Sequence, residues 1–253
     1  MRVRSFVTAA LLCAVLTVPA YAEEPGPRVP VLLYHAFSED RVPRERDPYD
    51  LHVTVEALDK QIRGMLDSGY TFISFDELYA WRTEGRALPE KPAILTCDDG
   101  YENCWRLAFP VFQKYDVKAT IFVIGEQVGK EGYFTWEQAR RMERSGLVTI
   151  ATHGQRHVDH AKMSPSKAAR EIGAAHAELV EQLGNPDRLK VMAYPYGKCT
   201  ADTRSAVAKQ GFAVQVLTRC GRAYNAGKTP LTEVNRIKCW NGLSGEELVR
   251  AAR

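Results

Sequence analysis

The sequence contains no CxxC pair, no HExxH motif and no histidine beyond His176. The first absence leaves a thiolate metal site without support. The second disfavours a zincin protease, whose general base is the glutamate between the two histidines. In the stretch HGQRH, starting at His153, that place holds Gly154. No uninterrupted apolar run reaches the ~20 residues that a spanning helix needs, so no permanent membrane anchor is expected. A strong charge of either sign is also missing, with 34 basic residues against 31 acidic ones. Such a balance gives no reason to expect nucleic acid or an anionic membrane as partner. No composition shift, low-complexity linker or short-period repeat divides the chain, and its length suits one large α/β domain.

The first 22 residues read as a signal peptide. Arg2 and Arg4 make a basic start, an apolar run follows from Phe6 to about Val18, and Ala20-Tyr21-Ala22 fits a small-x-small cleavage site. A catalytic domain over 23–253 is then expected, exported to the periplasm or the medium, as a monomer. Leu12 precedes Cys13 where a lipoprotein site would have a small residue. Outside that segment lie Cys97, Cys104, Cys199, Cys220 and Cys239. Export permits disulfides, but an odd count leaves at least one thiol over or an intermolecular pair. Their connectivity stays open.

Strand-like and helix-like stretches alternate over the rest of the chain. Apolar runs predict strands at 29–34, 72–73, 93–97, 119–124, 147–151, 191–194 and 212–217. Helical spacing and caps predict helices over 55–66, 77–82, 104–115, 135–144, 164–183 and 201–209. Thr135 to Gln138 reads as a capping box, Ser164-Pro165 as an N-cap followed by an N1 proline, and Pro110 should kink or delay its helix. Repeated βα units of this kind imply a parallel sheet, open or closed into a barrel. Functional groups of a barrel sit at the C-terminal ends of its strands. Tyr34-His35, Asp98-Asp99, Thr152-His153 and Pro195-Tyr196 all fall there.

Two of these clusters carry chemistry. His153 and His157 are four apart, within reach of one ion, and one carboxylate would complete a set with open positions for water. The plainer reading of such a pair is a solvated loop. Asp98 and Asp99 are adjacent carboxylates at a strand end, where an Asp-Gly turn is the ordinary explanation. An ion changes that, because it favours both ionised forms. One carboxylate can then bind it while the other accepts a proton from the water it activates.

Together the residues resemble the polysaccharide deacetylases of carbohydrate esterase family four, which share the NodB-homology domain. TCDDG resembles the first family motif, usually TFDDG; HGQRH resembles the second, usually His-(Ser/Thr)-x-x-His; MAYPYG resembles the third. The likeness extends from about Val29 to Arg236 and implies a distorted (β/α) barrel of about seven units with parallel strands. It implies that Asp99, His153 and His157 bind a divalent metal, zinc first with cobalt or nickel as alternatives. Asp98 is then the general base, and the backbone N–H of Tyr196 helps hold the oxyanion. Most members draw their acid histidine from a late motif. This chain is instead similar to the circularly permuted branch acting on poly-β-1,6-N-acetylglucosamine, which makes His35 the proton donor.

There are departures. Gly154 replaces the hydroxyl residue of the second motif, a loss of support for the loop. Met192-Ala193 stands where many members have an arginine that orients the base. Cys97 replaces phenylalanine and is expected to be small and buried. His52, His160 and His176 are read as structural or exposed. Among Tyr101, Trp105, Trp136, Tyr196 and Trp240, Tyr101 and Tyr196 are the favoured sugar-stacking residues because they adjoin motifs. The expected function is metal-dependent removal of N-acetyl groups from an N-acetylglucosamine-containing glycan, with acetate released. Two rivals are a glycoside hydrolase, opposed by the adjacency of Asp98 and Asp99, and a catalytically weak carbohydrate-binding protein of the same fold.

Overall fold

Among the described residues, seven parallel strands close into a barrel in chain order. They are β1 (Val31–Tyr34), β2 (Pro92–Cys97), β3 (Ala119–Val123), β4 (Val148–Thr152), β5 (Val191–Ala193), β6 (Val214–Cys220) and β7 (Val234–Lys238). Each pairs with its successor, and β7 returns to β1. The computed structural model describes residues 26–253, so the signal peptide expected at 1–22 lies outside it. No helix among the described residues is long and apolar enough to cross a membrane.

The strands β1, β2 and β3 are buried along their whole length. That is the pattern of parallel strands covered on both faces, and it explains why they read as continuous apolar runs. Alternate residues divide between two layers, as the period of two requires. Leu32, Leu95 and Ile121 pack with the surrounding helices, and Val31, Ile94, Phe122 and Val234 form the other layer.

The helices are α1 (Val55–Asp67), α2 (Phe75–Glu84), α3 (Phe109–Tyr115), α4 (Trp136–Arg144), α5 (Pro165–Leu183), α6 (Ala201–Ala208) and α7 (Gly245–Ala251). The capping box at α4 forms as expected: Gln138 N donates to Thr135 Oγ1 at 3.2 Å, and Thr135 N to Gln138 Oε1 at 2.7 Å. Pro110 delays α3. A π turn over Cys104–Ala108 comes first, and the α-helix begins only at Phe109.

Two features distort the barrel. The β4–β5 seam is joined at one registered pair, Thr152 with Met192, against five between β3 and β4. The link from β6 to β7 has no α-helix, only a 3-10 turn at Leu231–Glu233. It runs through Tyr224–Asn225, which pairs antiparallel with Arg28–Val29. Sequence periodicity ends at 217 and misses both β7 and α7. In β7 the strand VNRIK carries a cation at its centre, and no apolar run marks it.

Candidate active site

The turn after β2 begins with Asp98, whose backbone N–H donates to the carbonyl of Tyr34 at 2.9 Å. This ties the end of β2 to the end of β1. Asp99 and Gly100 then both adopt left-handed backbone, with φ of 74° and 84°. A Cβ on Gly100 would lie 3.0 Å from Val123 Cγ1, so glycine serves both the turn and the close packing. The turn sends the two carboxylates into the barrel mouth, where both are buried.

Asp98 is gripped by Arg236 of β7, the next strand but one. Nη1 donates to Oδ1 at 2.6 Å and Nη2 to Oδ2 at 2.7 Å. Arg236 is itself fully buried, and it also donates to the Leu217 carbonyl at 3.0 Å and Thr96 Oγ1 at 3.2 Å. Burial is the largest single influence and would raise the pKa of Asp98, but the charge and hydrogen bonds of Arg236, joined by His153 and His35, together outweigh it and hold the carboxyl well below the usual carboxylate range. No arginine stands at Met192-Ala193, as expected from the sequence, and the guanidinium that meets Asp98 comes from a different strand.

Asp99 faces the histidines. Its Oδ1 lies 3.5 Å from His153 Nε2 and 3.4 Å from His157 Nε2. One ligand atom from each of Asp99, His153 and His157 falls within 4.8 Å of the other two. His153 hydrogen-bonds through Nδ1 to the Ala193 carbonyl at 2.8 Å, which fixes the ring and leaves Nε2 to face the carboxylates. Asp99 Oδ1 is buried with no hydrogen-bond partner. Burial first, and the charge of Asp98 second, push the Asp99 carboxyl up to about 7. Burial lowers His153 to about 3 and lowers His157, so both imidazoles offer neutral lone pairs. An orphaned carboxylate oxygen between two neutral imidazoles fits a divalent cation.

The remaining expected residues ring this centre. The Tyr196 ring packs against His157 with centroids 4.6 Å apart and stays 59% exposed. Tyr196 has φ of 58° in the turn after β5. Tyr101, two residues after Asp99, stacks on Tyr133 at 5.2 Å. His35 follows β1 directly, and burial lowers it to about 4, with the charge of Asp98 as the chief opposing influence. Trp105 and Trp136 pack against the core instead, leaving Tyr196 and Trp240 as exposed aromatics among those five. Cys97 is buried as expected, and Cys104 Sγ donates to the His35 carbonyl at 3.4 Å.

The loop HGQRH is not short of support, contrary to the expectation from Gly154. Gly154 N donates to Thr152 Oγ1 at 3.0 Å, and the next two amides are held by Glu171 of α5. His160 is fully buried and partners the same carboxylate. The sequence reading missed Glu171 and Arg236. Their signals, a glutamate among the alanines of α5 and an arginine alternating with Val234 and Lys238 in β7, are too common to single out.

Comparison with known proteins agrees with this geometry. The family model described as polysaccharide deacetylase matches residues 85–215, more than half of the chain. Bacillus subtilis YxkH, named for the same family, is 27% identical over 223 residues, covering 88% of this chain and 75% of that one. The structure of the Streptococcus pyogenes deacetylase PplD in complex with acetate is 28% identical, with a TM-score of 0.81, over 90% of this chain and 99% of that one. The poly-beta-1,6-N-acetyl-D-glucosamine N-deacetylase of Escherichia coli K12 is 28% identical over 149 residues, 52% of this chain but 22% of that protein's length. By its family match, its barrel and the convergence of its three motifs, this chain belongs to the polysaccharide deacetylase family.

Proposed function

We propose that this protein hydrolyses N-acetyl groups of an N-acetylglucosamine-containing polysaccharide, releasing acetate and leaving free amines. The observation that carries the reading is the convergence of Asp99, His153 and His157 beside an Asp98 kept ionised by Arg236. A divalent ion held by the first three, zinc before cobalt or nickel, would supply Lewis-acid chemistry to a water and to the acetamide carbonyl.

The chain's own groups handle the protons. Asp98 accepts a proton from the attacking water; each of its oxygens keeps a lone pair after Arg236 is served. The water oxygen bonds to the carbonyl carbon, and negative charge gathers on the carbonyl oxygen, where the Tyr196 N–H donates to it. The C–N bond then breaks and the amine takes a proton from His35. With its pKa near 4, His35 rests neutral at pH 7. It therefore receives that proton during turnover, and the adjacent Asp98 is the group that has just gained one. The exposed Tyr196 and the half-exposed Tyr101 offer stacking faces for sugar rings at the mouth.

Poly-β-1,6-N-acetylglucosamine is the favoured polymer, supported by the position of His35 and by the E. coli relative's name. The pattern at residues 1–22 supports action outside the cytoplasm. The experiment is to load the purified protein with zinc, cobalt or nickel and incubate it with acetylated glucosamine polymers, chitin oligomers and peptidoglycan, assaying acetate. Acetate from the β-1,6 polymer is the expected result. Silence with every metal and every glycan would overturn the reading, and reducing ends without acetate would favour a glycoside hydrolase.

A further inference from the structure

Between His153 and His157 the chain turns through Gly154, with φ of 80°, and enters His157 with φ of 51°. Left-handed backbone at a histidine is uncommon and persists where surrounding contacts over-determine it. Those contacts come from one carboxylate on α5. Glu171 Oε1 accepts from Gln155 N at 2.7 Å and from Arg156 N at 2.9 Å. Its Oε2 pairs with His160 Nε2 at 2.8 Å, and both side chains are almost wholly buried. His160 in turn packs edge-on against Tyr194, the residue before the Pro195-Tyr196 turn. The far side of the loop is fixed as well, because Gly125 N and Glu126 N donate to the carbonyls of Gly154 and Gln155, each at 3.0 Å.

Gly154 belongs to the same device. A Cβ there would sit 3.0 Å from Glu171 Oε2 and 3.2 Å from His160 Cε1. A side chain at this position and the Glu171–His160 pair therefore compete for one space. The usual hydroxyl of the second motif is replaced here by a carboxylate brought in from a helix, and the glycine makes room for it.

We infer that Glu171, seated by His160 and admitted by Gly154, is the positioning residue that sets His157 against Asp99 and His153. The inference rests on the proposed metal-binding role of those three residues. Glu171 acts through the amides of Gln155 and Arg156; without it, two part-buried N–H groups lose their acceptor and the turn relaxes. His157 is the half-buried member of the set, so it is the one free to move outward.

The test is zinc affinity by competition with a chromophoric chelator, together with the visible absorption of the cobalt-loaded protein and the melting temperature. Glu171→Gln keeps one acceptor oxygen for both amides and a donor toward His160, and is expected to bind zinc within about threefold of wild type. Glu171→Ala is expected to bind about tenfold or more weakly and to change the cobalt spectrum. Glu171→Asp, which keeps the charge but draws the carboxylate back from the amides of Gln155 and Arg156, should weaken zinc in the same direction, and it decides the matter if Glu171→Ala does not fold. A purely structural role would lower the melting temperature while leaving zinc affinity and the cobalt spectrum of the folded variants unchanged, and that result would overturn the inference. Failure of the wild-type protein itself to bind zinc or cobalt would instead remove the metal-binding reading on which it stands.

Discussion

Arg236 and Asp98 are 138 residues apart in the chain and joined by two parallel N–H···O bonds of 2.6 and 2.7 Å. Arg236 is fully buried and Asp98 almost so. Closing a ring of strands in chain order brings the last strand beside the first, which in turn pairs with β2. Barrel closure is thus what delivers the guanidinium to the carboxylate. A buried pair of this kind is a weak source of net stability but a strong constraint, because neither charge tolerates losing the other.

Breaking the pair from the arginine side should therefore be costly. Arg236→Met leaves the Asp98 charge buried and unmatched, and is expected to destabilise the fold by about 3–5 kcal/mol. The double variant Asp98→Asn/Arg236→Met should recover part of that loss, since no charge is stranded. Urea denaturation of the two single variants and the double variant measures the coupling. Costs that simply add would show the pair to be energetically uncoupled.

Removing the carboxylate charge alone separates base from ligand. Asp98→Asn preserves shape and leaves Asp99, His153 and His157 in place. Zinc affinity should stay within a few-fold of wild type while acetate release falls by about 10²–10⁴-fold, the usual range for a lost general base. Calorimetric zinc titration and an acetate assay on the same preparation check both halves. Near-wild-type turnover would remove Asp98 from the base role.

What the sequence made legible follows from how local each feature is. The first six barrel strands were readable because apolar runs and turn residues sit together, and TCDDG and HGQRH because their residues are contiguous. β7 was not, because its central residue is a cation that makes sense only opposite a carboxylate on another strand. Glu171 escaped for the same reason: its partners are backbone amides 15 and 16 residues away, and no side-chain pattern records them. The gap suspected at Gly154 was a misreading of one position taken alone, when the space it leaves is filled from α5.

His176 gives the fold a pH dependence distinct from that of the groups at the barrel mouth. Its ring lies edge-on to Phe212 at 5.4 Å, and burial lowers its pKa to about 4, helped by the charges of Lys190 and Arg188. Above the unfolded value of about 6.5 both states are neutral and the group contributes no pH dependence. Between about 6.5 and 4 the unfolded chain takes up a proton that the folded one refuses, so stability falls as the pH is lowered. Below about 4 the loss is complete. His176→Leu should lose about 1–2 kcal/mol less than wild type between pH 7 and 4.5, a figure reduced for solvent screening. Parallel urea titrations at the two pH values read the difference, and equal losses in the two proteins would contradict it.

Zinc uptake should release a proton from one identifiable group. Asp99 is held at about 7 in the metal-free protein, by burial and then by Asp98. His153 is lowered to about 3 and His157 is lowered too, so at neutral pH neither has a proton to give up. A ligand must be deprotonated to bind, so affinity should weaken as the pH falls below about 7. About one proton should be released per zinc bound at pH 6 and far less at pH 8. Calorimetric titrations in buffers of different ionisation enthalpy count it directly. In Asp99→Asn the released proton should vanish along with most of the affinity, because the amide cannot supply the anionic oxygen. Proton release that persisted unchanged in that variant would assign the titration to another group.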